Sequence, residues 1–125
     1  MRHIQQPKGT MLCGHACVAM ILGWTLDRAI VAIRHKHGTK IKDLVRVISV
    51  NSRARYPNGD RLKVGCPERG LAICRVVPVW RKARGNGHWI IFNEGLWHDP
   101  GRRGSVRKLP KEYRVTSYLQ LHAGD

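Results

Sequence analysis

Residues 87–101 read GHWIIFNEGLWHDPG. The run His88–Asn93 is rich in aromatic and β-branched side chains, which suit a half-buried pleated surface and predict a strand. Glu94-Gly95 is a two-residue turn, and LWHDP reads as the returning strand. A hairpin over this stretch brings its two ends together. His88 and Asp99, eleven residues apart, would then meet at the open end. A carboxylate beside an imidazole can fix its tautomer and orientation. Asp99 also precedes Pro100 and Gly101, where an aspartate suits an Asx turn. Both roles remain open at this point.

Working outward, LAICRVVPVW (71–80) is apolar and β-branched and predicts another strand, with Pro78 near an edge or a bulge. RKARGNG (81–87) is a basic, glycine-containing loop, GRRGS (101–105) a turn, and YRVTSYLQLH (113–122) a final strand. Before residue 70 the period is different. Ala16, Cys17, Met20 and Ile21 recur at helical steps between Gly14 and about Gly23, apolar on nearly every side, which predicts a buried helix. Thr25 is expected to cap a second helix carrying Leu26, Ile30, Val31 and Ile33 and ending at Gly38. Thr39 is expected to cap a third, with Ile41, Leu44, Val45 and Ile48 on one face. NSRARYPNGDRLKVG (51–65) reads as a long loop or hairpin turning at Asn58-Gly59. Helices first and antiparallel strands second imply an α+β domain, with N-terminal helices packed on a small antiparallel sheet. We expect one domain over 1–125, helical over about 13–50 and sheet over about 61–122.

The chain has 23 Lys and Arg against 8 acidic residues, a formal charge of +15. That field favours anionic partners: an acidic protein or peptide, nucleic acid, or an anionic surface. The charge gathers at Arg34–Lys42, Arg81–Arg84 and Arg102–Lys108. Aromatic side chains are not interleaved with it as a base-stacking platform requires. No apolar run approaches the roughly 18 residues of a membrane span, and no signal-peptide pattern precedes Ala16–Leu22, so a soluble, cytoplasmic protein is expected. Four cysteines and seven histidines raise the question of zinc. Neither the Cys13/Cys17 nor the Cys66/Cys74 spacing forms a CxxC knuckle, so no metal and no other cofactor is expected.

Cys13 stands at the predicted start of the first helix. Unpaired N–H groups there carry partial positive charge, which favours thiolate over thiol. Gly14 would leave space for a substrate to approach the sulfur. A nucleophilic cysteine needs a base. His15 is two residues away on the same helix and faces elsewhere. His35 and His37 fall in a polar helix tail, and His3 and His122 near the ends. His88, held at the mouth of a strand, is the candidate base, with Asp99 to orient it. A developing oxyanion needs donors, which the Cys13 N–H and the carboxamide of Gln6 or Gln5 could supply.

The order QPKGTMLCGHACVAMILG, GTKIKDLV, GHWIIFNEGLWHDPG and VTSYL resembles that of papain-like cysteine peptidases. More narrowly it resembles the bacteriocin-processing (double-glycine) peptidase group and its small phage and bacterial relatives. The likeness spans nearly the whole chain and is weakest over 51–67. It implies a papain-like fold and a thiol protease with Cys13 as nucleophile, His88 as general base and acid, Asp99 as orienter and Gln6 as oxyanion donor. The group places its glutamine six residues before the cysteine, and here Gln6 stands seven before it. The resemblance further implies a phage or small bacterial setting, and makes Cys17 a packing residue.

Trp80, Trp89 and Trp97 are expected in the core or the wall of a cleft. Two function classes follow. One is an enzyme cleaving a peptide or isopeptide bond, or using the same Cys–His pair for deamidation or transamidation. The other is a catalytically idle scaffold whose basic surface binds nucleic acid or an acidic host protein.

Overall fold

Three helices precede every strand. In the computed structural model, which describes residues 1–56, 61–80 and 87–122, these are α1 (Cys13–Leu22), α2 (Leu26–Ile33) and α3 (Ile41–Asn51). The strands are β1 (Lys63–Val64), β2 (Leu71–Pro78), β3 (His88–Asn93), β4 (Leu96–His98), β5 (Ser105–Val106) and β6 (Tyr113–Leu121). Among the described residues they form one open antiparallel sheet in the order β1-β6-β2-β3-β4-β5. The fold is α+β, three N-terminal helices packed against a six-stranded sheet. The expected Asn58-Gly59 turn and the basic cluster Arg81–Arg84 lie outside the described residues.

α1 is buried from Cys13 to Met20, as a helix apolar on nearly every side requires. Gly23 ends it in the left-handed conformation (φ 68°), where a Cβ would be strained. Thr25 caps α2 by accepting the Arg28 N–H at 3.2 Å. α2 is shorter than its pattern suggested. Arg34 takes the left-handed conformation (φ 74°) and closes the helix at Ile33 rather than Gly38. Ala29 and Ile33 form its buried face, whereas Val31 is 76% exposed.

The expected cap of α3 is also corrected. Lys40 is the first flanking residue, and its N–H is held by the Asp43 carboxylate at 3.0 Å. Thr39 is instead buried against α1. A Cβ on Gly14 would lie 1.9 Å from Thr39 Oγ1, so Gly14 makes room for Thr39 rather than for a substrate. Leu44, Val47 and Ile48 are the fully packed residues of α3.

The sheet alternates as the pleat demands. Ile73, Trp89, Ile91 and Leu121 face the helices. Ala72, Cys74, Val76, Ile90, Phe92 and Trp97 form a second cluster on the opposite face, with Leu109 and Tyr113 packed against it. β2 is central, flanked by β3 and β6, and Pro78 closes it opposite Tyr113. The bulge falls two residues earlier, between Arg75 and Val76. Glu94 (φ 49°) and Gly95 (φ 83°) make the β3–β4 turn, both left-handed, the conformation that matches the twist of a tight hairpin. Trp97 is buried as expected, but Trp80, just past the end of β2, is 74% exposed and belongs to no core.

Candidate active site

Cys13 is the first residue of α1, and His88 the first of β3. α1 packs on β3, so the start of the helix meets the start of the strand. His88 shares its strand parity with Ile90 and Phe92, and Asp99 shares that of Trp97. Ile90, Phe92 and Trp97 belong to the outer cluster, while Cys13 belongs to the helical layer. The three meet where the two layers join at one end of the sheet.

His88 Nε2 donates to Asp99 Oδ1 at 2.7 Å. The other ring nitrogen is left for the sulfur, and the Cys13 and His88 side chains interact. Asp99 is 2% exposed. Its Oδ1 also accepts the Gly101 N–H at 2.8 Å. The same Asp99 oxygen therefore makes the Asx contact and meets the His88 ring. Arg102 Nε lies 3.4 Å from Oδ2, and the Arg102 guanidinium is paired with Glu112.

Burial pushes the Cys13 thiol up. The hydrogen bond and charge of His88, joined by backbone contacts to Trp89 and Gly14, outweigh it and hold the thiol below its ordinary range. Burial pushes His88 down, but Asp99 and Cys13 raise it further, to about 9. Burial pushes Asp99 up, and its bond and charge contact with His88, the Gly101 N–H and Tyr113 bring it below the usual carboxylate range. Each charge is stabilised by the next: the His88 imidazolium favours the Cys13 thiolate, and the Asp99 carboxylate favours the imidazolium.

The supporting shell was not foreseen. Trp89 Nε1 donates to the Thr39 carbonyl at 3.0 Å. That bond ties the residue after His88 to the residue packed on Gly14. Tyr113, at the start of β6, places its ring 5.7 Å from the His88 ring, tilted by 33°. Neither link carries a sequence signal, since Thr39, Trp89 and Tyr113 come from separate elements.

The lead-in reaches the same corner. Gln6 N donates to the Pro100 carbonyl at 2.7 Å. The Gln6 carboxamide donates to the Thr10 carbonyl at 2.9 Å, and its Oε1 is buried without a partner. Pro7–Thr10 forms a turn with Gly9 at φ 78°, closed by Thr10 N to Pro7 O at 3.3 Å. This turn takes up chain between Gln6 and Cys13. Gln5 is exposed. His3 Nε2 meets the Arg102 carbonyl at 2.7 Å and must be its donor, and His3 Nδ1 lies 3.3 Å from His98 Nδ1. His3 thus fastens the lead-in to the turn that carries Asp99.

The other candidates fall elsewhere. His15 is fully buried and faces away from Cys13, with Nε2 2.5 Å from the His35 carbonyl, and burial keeps its pKa low. Cys17 and Cys74 are fully buried and Cys66 is exposed. Among the described residues no group of three or more His, Cys, Asp or Glu is arranged to hold a metal. Among the described residues no single helix is long and apolar enough to cross a membrane. A cavity of about 420 Å³, lined in part by Arg2, His3, Met20 and Trp24, lies toward the far end of α1. Met20 is seven residues beyond Cys13, about 10 Å along the helix. No family model, curated protein or solved structure matches this chain.

Proposed function

We propose that this protein is a papain-like cysteine peptidase-like hydrolase, akin to the bacteriocin-processing group, acting on a peptide or isopeptide bond. One observation carries the reading: a cysteine at a helix start beside a histidine that it interacts with and that is 2.7 Å from a buried carboxylate. Catalytic triads are recognised by that geometry and not by sequence order.

The Cys13 thiolate attacks the carbonyl carbon. The imidazolium of His88 gives its proton to the leaving nitrogen as the C–N bond breaks, and a thioester remains. Water then attacks that thioester while His88 takes its proton. The C–S bond breaks, the acid leaves, and the thiolate returns. Asp99 keeps Nε2 protonated and stabilises the imidazolium in both halves. The Cys13 N–H and the second hydrogen of the Gln6 carboxamide are the donors assigned to the oxyanion. An amine in place of water gives transamidation, and a glutamine side chain as substrate gives deamidation, through the same thioester.

The test compares Cys13 with Cys66, the exposed thiol. With limiting iodoacetamide at neutral pH, mass spectrometry should find Cys13 carboxamidomethylated first, although only 9% of its surface is open. Labelling in order of exposure, Cys66 first, would sink the proposal. The charge of +15 supports a second reading, a basic binding protein for nucleic acid or an acidic host protein. Under that reading Cys13→Ala leaves function intact, and DNA affinity falls steeply with added salt.

A further inference from the structure

Asp99 has more acceptor capacity than its partners fill. Oδ1 takes two donors, His88 Nε2 and the Gly101 N–H. Oδ2 is buried and has no partner in hydrogen-bonding geometry. Arg102 Nε, 3.4 Å away, is buried and unpartnered as well. A buried carboxylate oxygen without a donor is costly, and such groups cluster where a site is poised for chemistry.

Tyr113 is the remaining polar group at this carboxylate. It is half-buried at the first position of β6. Its N–H is held by the Pro110 carbonyl at 3.0 Å, and its Cα pairs with Pro78 at the end of β2. The hydroxyl interacts with Asp99 and the ring lies against His88. Burial and the Asp99 charge push the phenol up to about 12, so it stays a donor at any working pH. Its neighbour Glu112 holds the Arg102 guanidinium that reaches toward the same oxygen. Asp99, Arg102, Glu112 and Tyr113 thus form a closed bracket behind His88.

We propose that Tyr113 is a positioning residue of the Cys13–His88 centre, donating its hydroxyl to the free oxygen of Asp99 and fixing that carboxylate against His88. Arg102 adds a charge contact to the same oxygen at 3.4 Å. The role rests on the reading of Cys13 and His88 as a reactive pair. It follows the rule that active-site hydrogen bonds left long in the free protein shorten when the site is engaged. Without the hydroxyl, Asp99 is a less comfortable anion and gains a proton at higher pH. His88 then loses its partner, and the Cys13 thiolate loses the imidazolium.

The experiment is the pH dependence of Cys13 alkylation by iodoacetamide, followed by mass spectrometry from pH 4 to 9. It uses the parent protein, Tyr113→Phe and Tyr118→Phe. Tyr118 lies on the same strand, paired with Cys74 and away from the site. Tyr113→Phe should move the acid limb upward by about one pH unit, the effect of losing a charge-assisted hydrogen bond. Tyr118→Phe should leave it in place. An unchanged limb in Tyr113→Phe, or an equal shift in both variants, overturns the role of Tyr113 while Cys13 stays fast in the parent. A parent in which Cys13 reacts no faster than Cys66 overturns the reactive pair itself, and the positioning role with it.

Discussion

The first two turns of α1 each carry a cysteine, Cys13 and Cys17, and the two are opposites. Both are buried, on one helix, four residues apart. Cys13 is held below the ordinary thiol range and Cys17 well above it. For both, burial is the leading cause and pushes the pKa up. Cys13 also meets His88 and the helix-start N–H groups. Cys17 meets only further negative or thiol groups, namely Cys13, Asp99 and Cys74. One helical turn therefore separates a thiol held below its ordinary range from one held well above it. The difference comes from His88, which acts on Cys13 and not on Cys17.

The contrast breaks most completely when His88 is removed. His88→Ala leaves burial at Cys13 opposed only by the backbone contacts to Trp89 and Gly14, so its alkylation at pH 6.5 should fall on the order of a hundredfold, read by timed labelling. A rate within a factor of two of the parent would show that the helix start alone activates the thiol.

The next largest effect is on the frame beneath the pair. Gly14→Ala places a methyl group on Thr39 Oγ1. Overpacking of this kind should lower stability by about 2 kcal/mol. Thr39→Ala in the same chain should recover part of it, both measured by denaturant melts. Failure of the second substitution to help would mean that the crowding lies elsewhere.

Asp99→Asn tests the third member. It keeps a hydrogen-bonding group beside His88 but removes the charge, and Cys13 alkylation should fall about tenfold. It has a thermodynamic signature too. The Asp99 pKa is lower in the folded protein than its ordinary 3.8. Its contribution to stability is therefore present above that value and lost as pH falls through the folded one. Melting of the asparagine variant should depend less on pH below 4 than melting of the parent.

The smallest effect sharpens the comparison from the other side. Cys17→Ala deletes one buried sulfur and should cost about 1 kcal/mol of stability, with Cys13 alkylation unchanged. A large loss of alkylation would assign Cys17 a part in the site.

Much of this centre was legible in the chain. His88 and Asp99 followed from a tight turn at Glu94-Gly95 and a strand of fixed period, because hairpin register is set locally. Cys13 followed from the helical period of its neighbours. The end of α2 was not legible, because nothing in RHKHG announces that a non-glycine, Arg34, takes the left-handed conformation there. Thr39 looked like a cap because its residue type suits one. Tertiary packing against Gly14 claimed it instead. Trp80 looked like core by its size and is mostly exposed.

By itself the sequence determined the three helices and the longer strands, the hairpin that joins His88 to Asp99 and the cysteine at a helix start. Each of these depends on residues within one turn or one strand of each other. Tertiary structure alone decided which cysteine meets the imidazole, what fills the space over Gly14, and that Tyr113 and Arg102 bracket Asp99. Those contacts depend on α1 packing on β3 and on β6 lying beside β2. Such placements are set by how two layers bury their apolar faces together, and local periodicity carries no record of them.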